Sequence, residues 1–62
     1  MAIPMFWNFT IILRNQMTNE TKEQSRDIMD ESYTNAWKKV TDYAISLLED
    51  ENAYWMIERI EN

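Results

Sequence analysis

Residues 5 to 14, Met-Phe-Trp-Asn-Phe-Thr-Ile-Ile-Leu-Arg, alternate more cleanly than any other stretch, and the rest of the chain has to be organised around them. A strand repeats every two residues, so Met5, Trp7, Phe9, Ile11 and Leu13 share one apolar side. Phe6, Asn8, Thr10, Ile12 and Arg14 share the other, which is mixed but still carries two large apolar side chains. A strand with apolar residues on both sides belongs in the middle of a sheet. Pro4 has no N–H for a ladder and marks the entrance of this strand.

The segment from Asn15 to Glu20 is polar and turn-like, yet the chain contains no glycine. A tight turn must then lean on Asn15 or Asn19, because asparagine tolerates the left-handed backbone region best among the residues present. Residues 21 to 31 can be read two ways. As a helix they would join the following one into a long rod, with Thr21 and Gln24 forming a capping box. Only Ile28 and Met29 are apolar, however, so most of that rod would have no face to bury. The strand reading is favoured: a polar edge strand paired with residues 5 to 14, its charges protecting an open edge.

Ser32 precedes the onset of a 3.6-residue period, with Asp30 and Glu31 placed where the positive end of a helix dipole favours acid. Tyr33, Ala36, Trp37, Val40, Tyr43, Ala44, Leu47 and Leu48 then form one apolar stripe, which predicts a helix over about 33–50. Ile45 lies opposite that stripe. Residues 53 to 61 alternate again, Trp55, Ile57 and Arg59 against Tyr54, Met56, Glu58 and Ile60, and read as a closing strand. A right-handed crossover places that strand on the far side of the first. The expectation is one α+β domain over residues 1–62: two-layer ββαβ, a three-stranded sheet in the order 2-1-3 with residues 5–14 central, and one helix on one face.

Ser32-Tyr33-Thr34-Asn35-Ala36-Trp37 at the helix start and Ile57-Glu58-Arg59-Ile60 in the closing strand are similar to corresponding segments in short phage and mobile-element proteins. The chain resembles that loosely defined set in architecture, departing from it in its lack of glycine and its polar second strand. The resemblance implies a small ββαβ domain of phage or prophage origin, and identifies no partner or active site.

Charge and inventory narrow the function. Eleven acidic residues against six basic ones give a net charge of −5, which disfavours a nucleic-acid backbone or an anionic membrane as partner. No apolar run approaches the ~20 residues of a spanning helix, so the chain is expected to be soluble and cytoplasmic. With no histidine and no cysteine, the ordinary zinc sites and the usual general bases and nucleophiles are missing; no enzymatic activity, metal or cofactor is expected. Asp27, Asp30 and Glu31 read as a helix-entry cluster. Glu49, Asp50 and Glu51 place negative charge at the negative end of the helix dipole, and are a candidate acidic docking site.

One helix covers one face of the sheet. The other face is expected to carry Phe6, Ile12, Tyr54, Met56 and Ile60, an apolar surface for a homodimer or a protein partner. The expected function is a small, acidic, non-catalytic protein-binding module, a phage or prophage accessory protein or an inhibitor of a host protein. The alternatives are an assembly subunit docking through its apolar sheet face and, more weakly, a nucleic-acid mimic.

Overall fold

The computed structural model describes residues 3–62. Strand β1 runs Met5–Asn15, β2 Thr21–Asp30, helix α1 Tyr33–Glu49 and β3 Trp55–Glu61. The sheet order is β2-β1-β3, and β1 is antiparallel to both neighbours. The alternating stretch is thus the central strand, residues 21 to 30 are a strand, and the α+β layout is the expected one.

The β1–β2 turn solves its lack of glycine with both asparagines. Asn19 takes the positive φ, at 63°. Asn15 is buried, and its Oδ1 accepts the N–H groups of Met17 at 2.8 Å and Thr18 at 3.1 Å. The Asn19 N–H donates to the Asn15 carbonyl, and the Asn15 N–H to that of Glu20, each at 2.8 Å. With the turn closed there, the register follows from Arg14 opposite Thr21 to Phe6 opposite Met29 and Met5 opposite Asp30.

Helix α1 begins where its cap dictates. Ser32 is extended, at φ −125° and ψ 133°, and its Oγ accepts the Asn35 N–H at 3.4 Å, while its own N–H donates to Asp30 Oδ1 at 3.0 Å. The apolar stripe lies on the odd-numbered side of β1. Ala36, Val40 and Ala44 are buried over Phe9, Ile11 and Leu13, and Ile28 closes the β2 side. Trp7, Tyr43, Leu47, Leu48, Trp55, Ile57 and Ile60 pack around this centre half-buried.

Ile60 was expected on the open face and is instead on the helix side, opposite Ile11. The reason is a β-bulge. Ile12 pairs with Arg59, but the next residue, Leu13, pairs with Ile57, so Glu58 is extra and the alternation of β3 changes phase across it. Tyr54 also departs from expectation: it precedes β3 in a turn, where its carbonyl accepts the Gln16 N–H at 2.8 Å.

The molecule is long. Its radius of gyration is 13.0 Å, against roughly 10.6 Å for a compact domain of this length. β3 reaches along β1 only as far as Thr10, opposite Glu61. Met5 to Phe9 continue beyond it as a two-stranded ribbon with β2, covered on the helix side by Tyr33 and Trp37.

Two outcomes test this account by urea denaturation. Asn19→Gly is expected to leave stability within about 1 kcal/mol of wild type, whereas Asn19→Val lowers it by about 1–2 kcal/mol, because a branched side chain resists positive φ. Deleting Glu58 restores a regular ladder on β3. The shortened chain is expected to remain folded with the Ile60 side chain still against Ile11, as nuclear Overhauser contacts would report.

Candidate functional site

The five residues expected to form one apolar face do not come together. Phe6 is 72% exposed at one end of the open face, beside Met29 at 57%. Met56 stands at the other end, opposite Arg14, about 26 Å away by strand rise. Its sulfur accepts from Gln16 Nε2 at 3.2 Å. Tyr54 lies in the turn and Ile60 under the helix. Ile12 is on the open face but only 4% exposed.

Ile12 is buried because charged side chains lie over its surroundings. Its cross-strand neighbours are Glu23 and Arg59, and Arg14 follows two residues on. Arg14 Nε lies 3.2 Å from Glu58 Oε1, an ion pair without hydrogen-bond geometry. Arg59 faces Glu58 at 3.9 Å and donates to Glu61, whose carboxylate holds the guanidinium above its ordinary pKa. Exposed pairs of this kind contribute little to stability. Side chains this long can also cover a neighbouring isoleucine with their aliphatic stems.

What the fold gathers instead is an apolar end. Phe6 and Met29 are paired across the β1–β2 ladder on the open face, and Met5 and Ile3 stand exposed beside them at 53% and 79%. Met5 and Met29 read from the sequence only as apolar strand residues, and Ile3 was assigned no role. Met29 could have been placed here: a turn closing Arg14 on Thr21 fixes every later pair, including Phe6 with Met29. On the helix side of this end, Trp7 meets Tyr33 edge-on with ring centres 5.3 Å apart, and its indole N–H donates to the Asp30 carbonyl at 3.1 Å. Phe9 lies 5.9 Å from Trp37.

The acidic groups separate into individual roles. Asp27 accepts from Asn8 Nδ2 at 2.8 Å. Asp30 is held by Lys39 Nζ at 2.6 Å and by the Ser32 N–H. Among the described residues, no group of three or more carboxylates converges as a metal site. Of the helix-end acids, Glu51 bonds Lys22 Nζ at 2.6 Å, with that ammonium 4.3 Å from the centre of the Trp55 ring. Glu49 and Asp50 are exposed and form no ion pair among the described residues. The Lys22–Glu51 pair spans a groove of about 440 Å³ floored by Ile11, Leu13 and Leu47. Ile45 is exposed on the outer helix surface. Among the described residues, no helix is long and apolar enough to cross a membrane.

Comparison with known proteins found no matching family model, no similar curated protein and no similar solved structure.

The Asp30 carboxyl sits below its ordinary pKa, chiefly through the Lys39 hydrogen bond and then the Ser32 N–H. Because the folded value lies below the unfolded one, this contribution is fully present above the unfolded value and is lost as pH falls through the folded one. Asp30→Asn is therefore expected to be less stable than wild type at neutral pH. The gap should close progressively below about pH 4. Denaturation midpoints across that range measure it.

Proposed function

We propose that the chain is a small non-catalytic protein-binding module that docks through the apolar end built by Phe6 and Met29. One observation carries the reading: the large apolar side chains of the open sheet face are covered or separated everywhere except at this end, where Phe6 and Met29 stand exposed opposite each other, with Met5 exposed on the other side of the same strand end. Exposed apolar side chains gathered in one place mark association surfaces, whereas scattered ones do not. Arg14 and Arg59, the cations of the open face, are already engaged by Glu58 and Glu61, which suits a protein partner better than a phosphate backbone. The likeness to short phage and mobile-element proteins gives the setting, a cytoplasmic accessory protein that binds and inhibits a host protein.

The test compares wild type with Phe6→Asp, Met29→Asp and a control, Met17→Asp, whose methionine is equally exposed in the turn. From source-cell lysate, wild type and Met17→Asp are expected to retain the same discrete protein at a salt-insensitive, stoichiometric level. The two variants at the apolar end are expected to retain it at least about tenfold less. Equal retention by all four, with each folded by circular dichroism, would remove the end of the ribbon from the docking surface.

A further inference from the structure

The same end carries a second feature, the free edge of β1. The Asn8 carbonyl accepts from Asn62 Nδ2 at 2.8 Å, on the β3 side of the strand. The Gln16 N–H reaches Tyr54 on that side as well, whereas the Asn15 N–H points to the β2 side. In an antiparallel strand the N–H and C=O of a residue point the same way and alternate along the chain. The N–H and C=O of Phe6 and the N–H of Asn8 therefore point outward past the end of β3, and among the described residues no strand lies against them.

The outer edge of β2 is charged at Lys22, Glu23, Arg26, Asp27 and Asp30, and that of β3 is uncharged from Trp55 to Ile57 but then carries a bulge with Glu58 and Arg59. Charges and bulges are how strand edges are kept from pairing with other chains. Met5 to Phe9 contain no charge, and are bounded by Pro4 at one end and by the Asn62 cap on Asn8 at the other.

We infer that two copies of the chain join through this edge, β1 against β1 in antiparallel register, with the twofold axis at Phe6; the inference builds on the docking surface proposed above. β3 fills the adjacent lane up to Thr10, and Asn62 caps Asn8, so only the segment around Met5 to Trp7 is free to pair. Centred there, the two Phe6 residues exchange both main-chain hydrogen bonds. Met5 of each copy lies beside Trp7 of the other on the helix side, a sulfur–aromatic contact. Pro4, with no N–H to give, ends the ladder on both sides. The segment is self-complementary under a twofold because it is apolar throughout and places like against like only where the side chain is uncharged. On the open face, the register Met29 opposite Phe6 extends through the axis. Met29, Phe6 and their two counterparts form one row, so pairing doubles the surface offered to a further protein. A C₂ pair is also the usual supplement for a domain this small.

Sedimentation across the micromolar range is the first readout, with the full chain. Wild type is expected to shift from one to two chain masses with concentration. Phe6→Ala keeps the main-chain donor, and Phe6→Pro removes it from an edge that β2 does not use. Phe6→Pro is therefore expected to weaken the pair at least about tenfold beyond Phe6→Ala. The chain has no cysteine, so Phe6→Cys should yield a disulfide-linked dimer on mild oxidation while Met29→Cys, three strand spacings from its counterpart, should not. A monomer at all concentrations overturns the inference. So does a dimer that Phe6→Pro and Phe6→Ala weaken equally, or one that Met29→Cys locks as readily as Phe6→Cys, which would mean face-to-face stacking. A monomer whose partner capture is still abolished by Phe6→Asp and Met29→Asp loses the edge pairing alone. A dimer whose capture ignores those changes loses the docking reading alone.

Discussion

The fold depends on one seam, the packing of Phe9, Ile11 and Leu13 under Ala36, Val40 and Ala44. Two alanines flanking a valine keep this side of the helix small, and all three side chains are fully buried against the sheet. There is no disulfide to share the task. Every other element is placed by this seam: β2 by Ile28 at its margin, and β3 by Ile57 and Ile60 leaning in from the far side. The aromatic rings at the helix start, Tyr33 and Trp37, extend it over Trp7 and Phe9 after β3 has ended. That extension keeps a two-stranded ribbon, which would be marginal alone, attached to the core.

Much of this was legible because it follows from period. The central strand, the helix and its Ser32 cap, the use of asparagine in the turn and the strand order all come from alternation, stripe and turn chemistry. The features that were not legible share a cause: each depends on a residue outside the pattern. A single extra residue, Glu58, reversed the expected side of Ile60, and nothing in Ile-Glu-Arg-Ile distinguishes a bulge from a regular strand. Ile12 looked exposed because side-chain direction alone was considered; its burial comes from Arg14, Glu23 and Arg59 lying around it. The apolar end was hidden because its members, Ile3, Met5, Phe6 and Met29, come from segments that only the hairpin register brings together.

The acidic residues that looked anomalous in the sequence are partly resolved by the same geometry. Glu51 opposes the helix dipole but receives Lys22 from β2, and that ammonium also sits over Trp55. The ion pair and the cation–π contact close the edge of the core where the helix ends. Asp30 and Lys39 do the equivalent at the other end, fixing the β2 terminus to the second turn of the helix. Lys39 thus reaches from the helix to the sheet, where its partner is well shielded and also receives a backbone N–H. Glu49 and Asp50 have no such use within the chain, and the structure offers no stabilising reason for them.

Polar residues are therefore not spread evenly over this surface. They occupy the β2 edge, the β3 edge and the middle of the open face, the places where an unguarded sheet would associate without control. Such guarding reduces the apolar area the chain can bury, in a domain whose core is already small. If self-association were only a hazard to be suppressed, the ribbon end would be the first place to put a charge, since Met5 to Phe9 project past β3 with an unpaired edge and an exposed phenylalanine. It carries none from Met5 to Phe9. The uncharged overhang is the segment through which the proposed pairing would run, with the Asn62 cap on Asn8 as its inner limit.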